Sequence, residues 1–360
     1  MDKEMNMQTK AIAALVALAL GGMSGAAQAQ AQGIEVKLSG QVNRALLSAD
    51  DGVEQEWFNV DNGNSSTRFR FNAEGPVSPG LSAGILFEVE YKSNPSSDVN
   101  FATRSISPDL NERHMDVFFA GPWGRARLGQ GDGAANGASE VDLSGTSVVH
   151  YASTADIGGA FQYRTTAGAL SGTSISGSIS NQDFESRYDR LLYQTPNFNG
   201  FMGEASWGHK ATDVTEFALR YSGKIGGLGT LAGALGWSNE DAPLGGIEDE
   251  TVGGSISWLH TSGINLTYSH TSRDLDGRTG KFDYFKAGYK VGKHAVSVDY
   301  AMGQDQAASG DEATMAGVGY VFTPIAWAEL FALYKIHSMD RTGADLDDIS
   351  FFMVGTRVKF

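Results

Sequence analysis

Gly263-Ile264-Asn265-Leu266-Thr267-Tyr268-Ser269-His270-Thr271-Ser272-Arg273 sets the reading of the whole chain. Ile264, Leu266 and Tyr268 fall on one face and Asn265, Thr267 and Ser269 on the other, the period-two signature of a β-strand. Thr67-Arg68-Phe69-Arg70-Phe71-Asn72-Ala73 repeats it, with Phe69 and Phe71 opposite Arg68, Arg70 and Asn72. A soluble sandwich with one wet face also alternates. Strand length and the spacing of turns separate the two architectures.

A strand needs ~9–11 residues to cross a bilayer at a tilt of ~45°, whereas globular strands run to ~5–6. Working outward, alternating runs occupy 34–48, 67–77, 81–91, 113–121, 124–130, 189–195, 200–208, 213–224, 229–239, 250–260, 263–273, 281–291, 293–304, 312–322, 326–337 and 349–360. Most are in the longer class. Short connections at 75–80, 122–123, 196–199, 226–228, 261–262, 292 and 323–325 alternate with long ones at 49–66, 92–112, 131–188, 209–212, 240–249, 274–280, 305–311 and 338–348. Short turns at one end and long loops at the other describe an outer-membrane barrel, with 209–212 the exception to the length rule. Backbone groups cannot go unpaired in hydrocarbon, so the strands must close on themselves. The expected fold is all-β: a transmembrane antiparallel β-barrel of sixteen strands. Tyr91, Trp123, Phe198, Phe201, Trp207, Tyr221, Trp237, Trp258, Tyr300, Phe322, Trp327 and Tyr334 lie near run ends, as interfacial girdles would; a sandwich core is the competing explanation.

The N-terminus agrees. Lys3 and Lys10 precede the apolar run 11–20 and the small-residue stretch 21–31, the order of a secretory signal peptide. Overlapping Ala-x-Ala sites place the cut after Ala29 or Ala31, leaving 30–360 as a single barrel domain. No later apolar run approaches the ~18 residues of a spanning helix. The chain has no cysteine, which excludes a disulfide framework and thiolate metal sites. Removing 1–29 takes away two basic and two acidic residues, so the net charge stays at −15, a balance that argues against nucleic acid as a partner. Forty-six glycines and eight prolines fit many strands joined by tight turns.

Several stretches resemble the trimeric general-porin family. Val36-Lys37-Leu38-Ser39-Gly40-Gln41-Val42 is similar to its opening strand, and Ser66-Thr67-Arg68-Phe69-Arg70-Phe71 to its second, which carries an inward arginine. Tyr193-Gln194-Thr195-Pro196-Asn197-Phe198-Asn199-Gly200-Phe201 resembles the hairpin after the family's long inward-folded loop, here 131–188. The terminal Phe360 matches the signal read by the barrel-assembly machinery. The resemblance implies a passive outer-membrane channel for small hydrophilic solutes and ions, a homotrimer in contact with lipid and lipopolysaccharide, and no cofactor. Two positions depart from the family. Asp116 stands where a basic residue is common, and Gly129-Gln130 replaces Gly-Arg. Segment 131–188 also holds two strand-like stretches, 160–165 and 173–180. If both crossed the membrane, the barrel would have eighteen strands and suit a substrate-specific channel. A non-conducting adhesin or envelope barrel is the remaining alternative.

Strand parity puts Lys37, Arg68, Arg70, Glu88, Glu90, His114, Asp116, Arg125 and Arg127 on the luminal face, with Asp132, Glu140 and Asp142 of the long segment as opposing acids. Opposed rows of arginine and carboxylate would set a transverse field across a narrow throat. The plainer reading is that they solvate a wide lumen. Acid-rich loops at 50–56, 240–250 and 340–348 read as solvated surface. No enzyme signature emerges: the seven histidines form no His-x-x-x-His pair, and Gly-x-Ser-x-Gly is absent.

Overall fold

The computed structural model describes residues 33–241, 249–275 and 277–360. The signal expected at 1–29, its cleavage sites and most of the acidic run 240–250 lie outside these residues. Nineteen strands form among the described residues, numbered here in chain order. They are β1 (Glu35–Asp50), β2 (Gln55–Asp61), β3 (Arg68–Ser78), β4 (Leu81–Lys92), β5 (Asp109–Gly121), β6 (Gly124–Asp132), β7 (Gln162–Arg164), β8 (Leu170–Ser174), β9 (Arg187–Gln194), β10 (Phe201–His209), β11 (Asp213–Lys224), β12 (Thr230–Glu240), β13 (Asp249–Leu259), β14 (Ile264–Leu275), β15 (Arg278–Val291), β16 (His294–Gln304), β17 (Glu312–Ile325), β18 (Ala328–Asp340) and β19 (Ile349–Lys359). One helical turn, α1 (Ile175–Ser178), follows β8.

All but β2, β7 and β8 belong to one closed antiparallel barrel of sixteen strands. β1 closes it, pairing with β3 through Glu35–Gln41 and with β19 through Gln41–Asp50. Phe360 completes the seam: its N–H donates to Gly40 (3.0 Å) and its carbonyl accepts from Gly40 (2.9 Å). A Cβ on Gly40 would lie 2.5 Å from the Phe360 ring, so the close approach needs glycine there.

The stretch that set the reading is inside out relative to a soluble protein. Asn265, Thr267 and Ser269 are buried, while Ile264, Leu266 and Tyr268 are exposed. None of the twelve candidate girdle aromatics is buried. A sandwich core would bury them, whereas a barrel in lipid turns them outward.

The sixteen strands are as expected and the eighteen-strand alternative is excluded, while two of the expected connections need correction. The stretches 160–165 and 173–180 do not cross the membrane: β7 and β8 span only 3 and 5 residues, pair with each other, and give way to α1 where Ser174 Oγ accepts from Gly177 N–H. The barrel therefore has sixteen strands, not eighteen. The connection 49–66 contains β2, which extends the sheet on Arg44–Asp50. The connection 274–280 is a tight hairpin, because Leu275 already pairs with Arg278.

Segment 131–188 folds into the lumen. A chain buried there still has backbone groups to satisfy, and inward hydroxyls of the wall do so. Ser206 accepts from Ala134 N–H, Ser255 from Val141 N–H and Ser257 from Leu143 N–H; Ser269 donates to the Ser139 carbonyl and Thr271 to that of Asn181. Farther along, Val148, Val149, Ile157, Phe161, Tyr163, Ile175 and Ile179 join Leu47, Phe282, Tyr284, Phe331, Leu333, Phe351 and Met353 in an apolar core. One side of the barrel is thus filled solid. The β7–β8 hairpin is tied at the mouth by Arg164, 2.5 Å from Asp51 and 2.7 Å from Glu54. Asp51, expected in a solvated loop, is buried by that contact.

Candidate functional site

The free side of the lumen is lined by β3–β6 and β9–β11, and strand parity aims their charged residues inward. Glu88 on β4 takes Arg70 and Arg68 of β3 and Arg113 of β5, the last two at 3.7 and 2.6 Å. Arg113 also reaches Glu90 at 3.0 Å, and Glu90 holds Lys92 at 2.9 Å and accepts from Ser66 Oγ at 2.8 Å. Asp116 sits between Arg190 (2.8 Å) and Arg127 (3.6 Å). Arg190 donates as well to the carbonyls of Asp132 and Gly129, fixing the point where the chain leaves β6. Asp132 lies 2.7 Å from Arg187 and 3.5 Å from His114. Arg220 pairs with Glu204 at 2.5 Å and donates to the carbonyls of Ala134 and Asn136. Arg125 stacks over the Phe118 ring at 4.5 Å, with Arg127 beside it at 5.9 Å.

Burial sorts most of the charges by sign. Glu88 and Asp116 side chains are 2% and 0% exposed, against 45% for Arg70 and 21% for Arg127, with Asp132 at 40% and Arg190 at 1% as the exceptions. Eight guanidiniums (Arg68, Arg70, Arg113, Arg125, Arg127, Arg187, Arg190, Arg220) stand against five carboxylates (Glu88, Glu90, Asp116, Asp132, Glu204). The wall therefore presents cations to the lumen and keeps most counter-charges behind them. Arg70, Arg127, Arg190 and Arg220 share one cavity of about 380 Å³ with His114, Asp132, Asn136 and Glu204.

The structure brings Arg68, Arg70, Glu88, Glu90, His114, Asp116, Arg125, Arg127 and Asp132 to one wall. It does not bring Lys37 there: Lys37 lies near the periplasmic end of β1, 67% exposed and 3.0 Å from Glu35. Asp142 is not an opposing pore acid either. Its carboxylate is buried against Lys286 of β15, whose ammonium also donates to the His150 carbonyl, so the pair anchors the segment. Glu140 accepts from Tyr151 Oη (2.6 Å) and Asn181 Nδ2 (2.7 Å). Burial and the nearby Asp183 hold Glu140 well above the usual carboxylate range. Burial, with Lys335 and Lys286 nearby, pushes His150 well below the histidine range.

Sequence reading stopped at the fifth strand and so missed Arg190 and Arg220, which the same parity on β9 and β11 would have found; Arg187, three residues from Arg190, has the opposite parity and is tied to the wall through Asp132. Arg113 had no such signal. A register shift between Glu88 and Val89 turns both Arg113 and His114 inward, which alternation forbids.

The family model described as "Gram-negative porin" matches residues 11–323. The chain belongs to this porin family. It is a passive diffusion channel of the outer membrane. Among solved structures, the porin is similar to the anion-selective porin from Comamonas acidovorans (18% identity, 91% of this chain and 100% of that one, TM-score 0.66). It is also similar to OmpF of Salmonella typhi, solved in complex with daunomycin (12%, 92% and 99%, 0.61). A third is the trimer form of in-vitro folded OmpT, an outer membrane protein of Vibrio cholerae (16%, 91% and 100%, 0.56). At these identities the likeness concerns fold. No curated protein sequence matches the porin.

Proposed function

We propose that this porin passes small hydrophilic anions in preference to cations, with 131–188 as the constriction and the arginine wall as the selectivity element. The observation that carries the reading is the sorting of charge on the wall, Arg70 at 45% exposure over Glu88 at 2%. In a narrow throat with low-dielectric walls such fixed charge raises the local counter-ion concentration. The likeness in fold to an anion-selective porin is consistent with it. The channel performs no chemical step.

The test is the reversal potential across a planar bilayer under a KCl gradient. The wild-type channel is expected to favour chloride, and Arg68→Ala/Arg70→Ala to raise the cation-to-anion ratio, most at low salt where screening is weakest. A cation preference that the double variant leaves unchanged would refute the reading. Lys37→Gln, on an exposed rim pair, is expected to change little.

The assembly reading is a homotrimer in lipid and lipopolysaccharide, inserted by the barrel-assembly machinery through Phe360. A monomer by light scattering in mild detergent would contradict the trimer, and normal outer-membrane levels without Phe360 would contradict the signal.

A further inference from the structure

The periplasmic rim treats its lysines unequally. On one side Lys37 sits 3.0 Å from Glu35, and Lys359 2.6 Å from Glu329. Across the opening, the ends of β11 and β15 carry Lys224 and Lys290, the turn after β15 carries Lys293, and no acidic residue occurs in 217–235, 251–273 or 284–298. In a chain of net charge −15 this rim is basic without compensation.

Two of these lysines face the lumen. Lys224 continues the inward series Val214, Glu216 and Ala218, and Lys290 continues Phe282, Tyr284 and Lys286. The Lys290 ammonium lies 3.4 Å from where a Cβ on Gly145 would stand, directly against the luminal segment. Both lysines are exposed and line one groove of about 630 Å³. Lys293 instead donates to the Pro324 carbonyl (2.6 Å) within the turns. The arginine wall carries its counter-carboxylates with it. Lys224 and Lys290 carry none among the described residues.

We propose that Lys224 and Lys290 form a second anion-attracting station at the periplasmic mouth, in series with the arginine wall. The station deepens the anion-preferring reading and is separable from it, because a mouth charge acts only on the solution it faces. Its reach is a Debye length, ~10 Å at 0.1 M salt and ~3 Å at 1 M. Its effect is therefore one-sided and confined to dilute salt.

The experiment compares wild type with Lys224→Gln/Lys290→Gln as single channels. Both carry Ser309→Cys in the exposed 305–311 connection at the opposite end, so that an impermeant thiol reagent reports orientation. With dilute KCl on the periplasmic side, the double variant is expected to lower the anion-to-cation permeability ratio roughly twofold. With dilute KCl on the other side, or 1 M KCl on both, the two channels are expected to be the same. Each single variant is expected to show about half the change, and Lys293→Gln none. An unchanged ratio with dilute periplasmic salt, or a loss equal in both orientations, would overturn the station. A one-sided loss in a channel insensitive to Arg68→Ala/Arg70→Ala would instead remove the throat reading and leave the station standing.

Discussion

The wall that carries Arg70, Arg127 and Arg190 and the wall that carries Phe282, Leu333 and Phe351 obey the same strand parity, yet one is a guanidinium surface and the other a hydrophobic core. The difference lies in what each faces. Water meets the first wall, so most of its inward positions are polar, with Leu86 and Leu192 set among the guanidiniums. Segment 131–188 meets the second, so inward positions can bury apolar area as in a soluble protein. Where the segment itself needs polar partners, that wall supplies Ser255, Ser257, Ser269 and Lys286 instead. The cluster of inward-facing apolar residues around Phe282, Leu333 and Phe351 thus marks the footprint of the luminal plug.

The largest test of this contrast removes the plug. Replacing 146–179 by a short Gly-Ser bridge is expected to raise conductance severalfold for both ions, since an obstruction and not a charge is lost. It also bares Phe282, Phe331, Leu333 and Phe351, each stabilised by ~1.5–3 kcal/mol through burial. Heat resistance on a detergent gel is therefore expected to fall. Unchanged conductance would show that the plug does not limit the pore.

A smaller effect comes from the anchor. Asp142→Ala removes the contact carboxylate of Lys286, whose side chain is 0% exposed, and leaves only its cross-strand neighbour Asp299 to offset the charge, at a cost of up to ~3–5 kcal/mol. The melting midpoint by circular dichroism is expected to drop and open-channel noise to rise. Asp142→Leu/Lys286→Met is expected to recover most of the midpoint, because a matched apolar pair restores a compensated interior. Failure of the pair to recover would mean that the salt bridge itself is needed to seat the segment.

The smallest effect concerns pH. Burial raises Asp156 of the plug from 3.8 to about 6. A carboxyl whose folded value is raised contributes stability that is full below 3.8 and is lost as pH rises through about 6. Asp156→Asn is therefore expected to raise the midpoint relative to wild type at pH 8, with the gain vanishing toward acid pH. A gain confined to acid pH would contradict the sign.

How far the sequence could be read follows from the same contrast. The sixteen runs, the outward girdle and the inward placement of Arg68, Arg70, Glu88 and Asp116 were legible because alternation is a local property of the strand. Eighteen strands remained open in the sequence because 160–165 and 173–180 alternate as membrane strands do. Only the helical turn at Ile175 and the pairing of β7 with β8 exclude them.

The sequence by itself determined the period, the turn spacing and hence the barrel, since no other closed structure satisfies the backbone of so many long amphipathic strands in lipid. Tertiary structure decided the charges that alternation does not place. Asp142 looked like a luminal acid and became an anchor because Lys286, far away in sequence, meets it inside the barrel. Arg113 looked outward-facing and turned inward because the bulge between β4 and β5 shifts the register. Alternation is written locally, whereas ion pairing and register depend on neighbours that only the closed barrel brings together.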